Sequence, residues 1–496
     1  MLCITIACDD LSQMRAKHRE LVAQGAQLVE LRLDYLRGEI VDLRKLLEDR
    51  PGPVIVACRR PQDGGRFAAG EVQRLALLRM AIALGAEYVD LEDDVAAAIP
   101  RSGQGRRIVS LHDFEKTPDD LAAIHGRLAA LDPDVVKICT MALSPHDNLR
   151  MLQMVAAAKV PTVGFCMGEI GVASRILAGR FGAPWTYVAC DHQSTVAPGQ
   201  VSFPEMRELY RYDAIGPATE VYGVIADPVG HSLSPLIHNT AFRELQLDKV
   251  YLPFRVPPAD LAQFMDDAPL LGVRGLSVTI PHKETILPKL GQAEPAVLGI
   301  GACNTAVFDG RQWSGYNTDC QAAMESLEEA LGGPRGGDSP VRGRTALVLG
   351  AGGVGKAIAY GLVSRQADVV LCDGVAQRAE QLAKRLHCRW VNWEDRAQVQ
   401  ADIVIHGTPI GMHPHVDQTA LAAEDLRPSA VVFDVVYNPE ETMLLRGARQ
   451  RGCKVVSGVE MFVRQACLQF KRFTGHDGPA ELMRDVIQQA LAGKVP

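Results

Sequence analysis

What the sequence lacks narrows its function first. Its 496 residues carry no basic excess: 52 Lys and Arg against 59 Asp and Glu leave a net charge of −7. A clustered basic surface for a nucleic-acid backbone is therefore not expected. No apolar run approaches the roughly 18–20 residues that span a bilayer. The opening stretch, Met1-Leu-Cys-Ile-Thr-Ile-Ala-Cys8, reads as a strand running into Asp9-Asp10. It has neither a basic leader nor a small-residue cleavage site, so it is expected to be mature structure. The 12 cysteines stand singly, without C-x-x-C or Cys/His metal spacing, and Cys58, Cys139 and Cys166 fall in apolar stretches. Free cysteine there acts as a small hydrophobe, which points to a reducing cytoplasm and no metal site. Internal repeats and low-complexity tails are also missing.

The length calls for two or three domains. An apolar fraction of 47% with 22% charged residues suits a globular chain with sizeable cores. Over the first 200 residues, candidate strands start near Leu2, Leu28, Pro53, Glu87, Arg107, Asp134, Pro161 and Trp185, alternating with helical stretches. Eight such units predict a (β/α)8 barrel. Val54-Ile-Val-Ala-Cys58 is continuously apolar, as a parallel strand buried on both faces must be. An open doubly wound sheet is the alternative. Placement of the polar residues favours the barrel: Glu30, Arg32, Arg59, His112, Lys137 and Asp191 lie within or at the carboxyl ends of their strands, where barrel sites are built. A last helical stretch is expected from Pro204 to the turn Ile215-Gly216-Pro217. The Gly/Pro cluster at 331–343 reads as a hinge.

Lys137 lies in Asp134-Val-Val-Lys-Ile-Cys-Thr140. Burial there pushes an amine towards its neutral, nucleophilic form, which attacks ketones to give imines. His112, in Ser110-Leu-His-Asp-Phe114, ends the neighbouring strand and can shuttle a proton. Arg59 and Arg175 offer guanidinium forks to a carboxylate. Taken singly, each of these residues has an ordinary structural explanation as a solvated lysine, a core histidine or an ion-paired arginine.

Together these segments resemble the type I 3-dehydroquinate dehydratases. The matching pieces are Glu30-Leu-Arg-Leu-Asp34, Arg59 followed by Asp63-Gly64-Gly65, Ser110 through Pro118, and Val136-Lys137-Ile138. Met167-Gly168 through Ser174-Arg175 and Ala197-Pro-Gly-Gln200 complete them. The resemblance implies a covalent imine on Lys137 during turnover, with His112 as general acid and base. It implies that Glu30, Arg32, Arg59, Arg175 and Gln200 hold the substrate, 3-dehydroquinate. Two positions depart from the pattern. Asp63 replaces a Glu that supports the histidine, and Val196 stands where a hydroxyl is usual, with Thr195 one place earlier.

The second half opens with the strand Val221-Tyr-Gly-Val-Ile225. Further on, the strand Thr345–Gly350 enters Gly350-Ala-Gly-Gly-Val-Gly-Lys356, with a helix expected from Ala357 to Val363. Strand, glycine turn and helix in this order form a dinucleotide fingerprint, with the pyrophosphate at the helix N-terminus. Gly350, Ala351, Gly352, Gly353, Val354 and Gly355 are the candidate cofactor residues. Asp373 follows the next strand, about 20 residues on, where a carboxylate meets the ribose and repels a 2′-phosphate. NAD is therefore favoured. NADP is the alternative if Arg378 reaches a 2′-phosphate instead. His231-Ser-Leu-Ser-Pro235 offers two hydroxyls on one side if extended. Lys283 and Asp319 offer an ammonium and a carboxylate for the proton that accompanies hydride transfer.

Jointly these residues resemble shikimate dehydrogenase. The matches are Ser232 through His238, Ser277-Val-Thr-Ile-Pro-His-Lys283, Ala302-Cys-Asn-Thr305 and Asn317-Thr-Asp319. The glycine fingerprint, Thr408 through Met412, Asp434-Val-Val-Tyr437 and Gly458 through Gln465 complete the series. The resemblance implies a catalytic pair in Lys283 and Asp319. Substrate contacts would come from Ser232, Ser234, Thr279, Asn304, Tyr437 and Gln465, and further cofactor contacts from Thr408 and Gly458. Asp373-Gly374-Val375 replaces the Asn-Arg-Thr of NADP-using members, which is the same argument for NAD.

The expected architecture is α/β throughout: a dehydratase barrel over 1–215, a substrate-binding part over 216–336 completed by helices at about 460–496, and a Rossmann part over 337–459. The expected ligands are small acids, 3-dehydroquinate, 3-dehydroshikimate and shikimate, with no nucleic acid, membrane or metal, and an open oligomeric state. A quinate/shikimate dehydrogenase of dual cofactor use is the nearest alternative. A sensor that binds pathway acids without turnover is the alternative from another class.

Overall fold

In the computed structural model, which describes residues 1–37, 42–333 and 338–493, the apolar stretches of the first half become eight strands. These are β1 (Leu2–Ile6), β2 (Leu28–Arg32), β3 (Val54–Ala57), β4 (Tyr88–Glu92), β5 (Arg106–Asp113), β6 (Val135–Met141), β7 (Thr162–Met167) and β8 (Thr186–Ala189). All pair in parallel in the order β7-β6-β5-β4-β3-β2-β1-β8. β8 returns against β7 with no ladder between them among the described residues, so the barrel closes in all but one seam. Each strand is buried, its inner face by the barrel interior and its outer face by the segments that connect it to its neighbours. Two of the connecting helices start on the side-chain caps Asp10 and Asp120, whose carboxylates accept the amides of Gln13 and Ala123.

The lower barrel interior is apolar, a single cluster of Cys3, Leu28, Ile55, Ile108, Val135, Val163, Phe165 and Trp185. Two residues further along the even-numbered strands, the filling changes to Glu30, Asp90, Lys137 and Tyr187, which touch one another. Barrel interiors are filled in layers of four from alternate strands, here with three charges and a phenol in place of branched aliphatics.

The helix expected from Pro204 is realised as a π-turn over Glu205–Leu209 and a 3-10 turn over Tyr212–Ala214. Arg211 between them adopts a left-handed backbone with φ of 50°, which no continuous α-helix accommodates. The boundary expected at 336/337 and positions 334–337 of the Gly/Pro cluster lie outside the described residues, as do the last three positions of the C-terminal helical stretch.

By compactness the chain forms two units. One holds Met1–Val221, Asp227–His231 and Leu247–Gly272; the other holds Tyr222–Ala226, Ser232–Gln246 and Val273–Pro496. The strands after the barrel are β9 (Glu220–Ala226), β10 (Lys249–Arg255), β11 (Val273–Val278), β12 (Gln292–Ala293), β13 (Thr305–Phe308) and β14 (Trp313–Tyr316). In the second unit β9, β11, β13, β14 and β12 lie side by side in that order. A second sheet holds β15 (Thr345–Leu349), β16 (Asp368–Cys372), β17 (Arg389–Trp390), β18 (Ile403–His406), β19 (Val431–Asp434) and β20 (Lys454–Val456). It is fully parallel, in the order β17-β16-β15-β18-β19-β20. That strand order is the Rossmann one, and its reversal beside β15 opens a crevice at the strand carboxyl ends. Among the described residues no helix is long and apolar enough to cross a membrane.

Candidate active sites

Lys137 sits two residues into β6 and is buried. Its Nζ donates to Asp90 Oδ2 at 3.0 Å and Glu30 Oε1 at 3.2 Å, and lies 3.7 Å from the centroid of the Tyr187 ring. The expectation of an amine among apolar neighbours is corrected here, because two buried carboxylates flank it. Asp90 is the hub. Its Oδ2 also accepts Arg59 at 2.5 Å, and the surrounding cations, Arg59 first, hold its carboxyl far below the usual range against the opposing effect of burial.

His112, the penultimate residue of β5, lies across from Arg59, whose Nη1 is 2.6 Å from the ring Nε2 and 2.8 Å from Nδ1. Guanidinium only donates, so the ring nitrogen facing it accepts. Burial, with Arg59 and Lys137 adding their charge, pushes the His112 pKa well below its ordinary value. His112 is therefore a neutral base at neutral pH. Phe114 stacks on it at 6.1 Å and 17°.

Arg175 is 1% exposed and lies 4.2 Å above the Phe165 ring. Among the described residues it donates to the Pro198 carbonyl at 3.4 Å, while its Nε is buried without a partner. Burial lowers its pKa to about 10. A buried guanidinium with no carboxylate beside it is a receptor for an anion. Arg32 lines the same cavity but is held in a fork by Asp34 at 2.9 and 2.8 Å. Gln200 also faces it, with its carbonyl accepting the Val196 amide at 3.0 Å.

One expectation needs correction: Asp63 reaches Arg60 at 2.5 Å, not the histidine. Thr195 is exposed and Val196 lines the cavity. Sequence reasoning missed Asp90 and Tyr187. The signal for Asp90 was present: Val29-Glu30-Leu31, Val89-Asp90-Leu91 and Val136-Lys137-Ile138 repeat one pattern on alternate strands.

In the second unit, Lys283 follows β11 on a helical turn, His282–Thr285, and its Nζ meets Asp319 Oδ2 at 2.6 Å. Asp319 lies in the first turn of the helix Thr318–Ala330, where the backbone dipole favours a negative charge. The helix cap is Asn317, which accepts the Cys320 amide at 3.0 Å, so Asp319 is left for the lysine. Asn304 is buried and held by its Oδ1, which accepts the Thr318 amide at 2.7 Å and the Thr305 hydroxyl at 2.9 Å. Gln469, also missed, braces this knot by donating to the Asn304 carbonyl at 3.1 Å and the Thr305 hydroxyl at 3.0 Å. Thr279 sits at the end of β11, its carbonyl accepting the His282 amide at 2.7 Å. The serine segment is not extended. Ser234 begins the helix Ser234–Glu244, and the Ser232 hydroxyl accepts its amide at 3.3 Å. Tyr437 stacks on Phe462 at 4.8 Å, and Gln465 donates to the Phe462 carbonyl at 3.0 Å.

The glycine run enters the helix earlier than expected, at Gly353 rather than Ala357, and the helix runs to Ser364. A Cβ at Gly355 would lie 1.9 Å from the Gly350 carbonyl, and one at Gly350 2.7 Å from that of Gly407. At Gly352 it would meet nothing within 4 Å, so the helix entrance is open. These residues fit a pyrophosphate approaching backbone amides. Gly458, at the start of the helix Gly458–Thr474, is equally tight, since a Cβ there would lie 2.3 Å from the Val436 carbonyl. Asp373 is 9% exposed and both its oxygens are engaged, one by the Ala351 amide at 2.7 Å and one by the Val375 amide at 2.8 Å. Thr408 follows β18 with its hydroxyl against His406.

Four family models match the chain: type I 3-dehydroquinase over residues 2–217 and the shikimate dehydrogenase substrate binding domain over 224–306, then the coenzyme F420-dependent NADP oxidoreductase over 345–437 and the shikimate 5′-dehydrogenase C-terminal domain over 458–488. A curated relative, the chloroplastic bifunctional 3-dehydroquinate dehydratase/shikimate dehydrogenase of Arabidopsis thaliana, is 36% identical over 99% of this chain and 84% of its own length. Among solved structures, a shikimate dehydrogenase in complex with NADP+ matches with a TM-score of 0.52 at 34% identity, over 56% of this chain and 97% of that one. The shikimate 5-dehydrogenase of Listeria monocytogenes in complex with shikimate and NAD matches with a TM-score of 0.50 at 31% identity, over 54% and 96%.

Proposed function

The chain belongs to the family of bifunctional 3-dehydroquinate dehydratase/shikimate dehydrogenases, and from that premise we propose how its residues divide the work. The barrel removes water from 3-dehydroquinate, and the second half reduces the resulting 3-dehydroshikimate to shikimate. We assign 1–215 to the first reaction. Residues 216–336 with the C-terminal helices, from about 460 to 496, take the second substrate, and 337–459 take the dinucleotide. The observation that carries this reading is a lysine-centred site in each unit, Lys137 with Asp90 and Glu30 in one and Lys283 with Asp319 in the other.

In the barrel, Arg175 takes the substrate carboxylate. Glu30, Arg32, Arg59, Asp63 and Gln200 surround its ring. Asp90 and Glu30 orient the Lys137 amine, which gives up its proton to solvent before it attacks. Attack on the ring ketone gives a carbinolamine, and loss of water from it gives an iminium. His112, kept neutral, removes a proton from the adjacent carbon, and the electron pair moves to nitrogen as an enamine. The enamine expels the β-hydroxyl, which leaves as water with the proton from His112. Hydrolysis then restores Lys137.

In the second unit, a bound nicotinamide dinucleotide supplies the hydride. Lys283 and Asp319 deliver the accompanying proton to the carbonyl oxygen. Ser232, Ser234, Thr279, Asn304, Tyr437 and Gln465 hold the acid. Gly350 through Gly355, Asp373, Thr408 and Gly458 hold the cofactor. NAD is favoured over NADP because two backbone amides fix the Asp373 carboxylate beside the glycine turn, where it repels a 2′-phosphate. Twelve unpaired cysteines suit a reducing compartment, for which we take the cytoplasm.

The test supplies the purified chain with 3-dehydroquinate alone and follows NADH and, separately, NADPH. Oxidation of either requires both sites, and NADH should be consumed about tenfold faster. Activity with 3-dehydroshikimate but not 3-dehydroquinate would remove the barrel assignment. Tight binding of both acids without turnover would replace the enzyme with a sensor.

A further inference from the structure

The ends of β15, β18 and β19 lie side by side, with Leu349 paired to His406 and His406 paired to Asp434. His406 is 1% exposed and Asp434 fully buried. The imidazole links the carboxyl ends of β18 and β19, with Nδ1 2.9 Å from Asp434 Oδ1 and Nε2 2.5 Å from the Thr408 hydroxyl. Both Asp434 oxygens are engaged, since Oδ1 also accepts the Val436 amide at 3.0 Å and Oδ2 the Thr442 hydroxyl at 2.6 Å. Thr442 in turn caps the helix Met443–Gln450. At the other end of the chain of contacts, Thr408 is packed against the glycine turn: a Cβ at Gly350 would lie 3.0 Å from Thr408 Cγ2. Helix cap, carboxylate, imidazole, hydroxyl and glycine turn thus form one connected series.

The series has a direction. A carboxylate only accepts, so the ring nitrogen facing Asp434 must carry a hydrogen. In the neutral ring Nε2 is then the acceptor and takes the Thr408 hydroxyl hydrogen. The Thr408 oxygen already accepts the Ile410 amide at 3.3 Å. With its hydrogen committed, it has only lone pairs to offer a ligand.

We propose that His406 and Asp434 are positioning residues of the dinucleotide site that act through Thr408, fixing its oxygen as a pure hydrogen-bond acceptor for a ribose hydroxyl or carboxamide N–H of the cofactor. This rests on the reading of Thr408 as a cofactor residue. Neither His406 nor Asp434 touches the ligand, and a histidine in this position does no proton transfer.

The test uses the full chain and measures dissociation constants for NADH and NADPH by nicotinamide fluorescence, without the acid substrate and with dehydratase activity as a folding control. His406→Asn keeps a donor towards Asp434 but is too short to reach Thr408, whereas His406→Gln places an amide oxygen where Nε2 stood. We expect His406→Asn and Thr408→Val each to weaken binding about fivefold. The double variant should be no worse than either single one, and His406→Gln should be close to the unaltered chain. Nitrogen-15 spectra of the unaltered chain should show Nδ1 protonated and Nε2 bare. If Thr408→Val binds NADH and NADPH as the unaltered chain does, the cofactor reading of Thr408 fails and takes the proposal with it. If Thr408→Val weakens binding while His406→Asn does not, or the two effects add, the cofactor reading stands and the proposal alone is overturned. A proton on Nε2 overturns it in the same way.

Discussion

The two lysines of this chain sit in opposite kinds of surroundings. Lys137 belongs to a preassembled cage of Glu30, Asp90, Arg59 and His112, each from or just beyond a different strand of one sheet. Among the described residues Lys283 has a single charged partner, Asp319, and the other residues we assign to its site are neutral hydroxyls and amides spread over several segments. Covalent chemistry needs its acids, bases and nucleophile on the protein, with their charges fixed before substrate arrives. Hydride transfer brings its reactive group with the cofactor, so the protein supplies position and one proton. The density of charge around each lysine reflects that division.

Substitutions that act on one site only sharpen this contrast. The largest effect is expected from Lys137→Ala, which should lower dehydration by about 10⁴-fold or more. Reduction of 3-dehydroshikimate should be unchanged, and separate assays of the two half-reactions check both. A parallel loss of reduction would break the comparison. A smaller effect is expected from Asp373→Asn, which keeps one acceptor for the loop and removes the charge. The NADPH-to-NADH ratio of kcat/KM should rise about tenfold, with dehydration untouched.

The smallest effect concerns stability. His18, buried under the barrel with Arg50 and Glu87 nearby, has its pKa lowered from 6.5 to about 4 by burial first and Arg50 second. A lowered pKa means that the unfolded chain binds the proton more readily. Stability is therefore fully present above pH 6.5 and falls as pH drops towards 4. His18→Gln should flatten that slope by on the order of 1 kcal/mol, measured by denaturant unfolding at pH 7 and 5.

The barrel was legible because its strands are short apolar runs with polar residues at one end, a pattern that survives without any tertiary knowledge. Lys137, His112, Lys283 and Asp319 were legible as motif residues, and the structure brings each pair into one site. Asp90 was not, because a single carboxylate inside an apolar strand signals nothing until alternate strands are seen to feed one layer. The conformation of the serine segment and the partner of Asp63 were misjudged for a related reason. Both depend on which hydrogen-bonding neighbour is nearest, Arg60 for Asp63 and the helix start for Ser232. Spacing along the chain does not encode that. The π-turn after Pro204 was hidden by a left-handed arginine that no propensity argument would place there.

The charged layer of the barrel has a consequence for how the chain reaches its native state. Side chains alternate along a strand, so sliding β6 by one residue against its neighbours would turn Lys137 out among the helices and bring Val136 in. The same slip in β2 or β4 would strand Glu30 or Asp90 without the lysine. A purely aliphatic interior tolerates such errors at modest expense; three unpaired charges in a greasy shell do not. The cluster to which we assign the chemistry therefore also penalises a shifted register of the sheet.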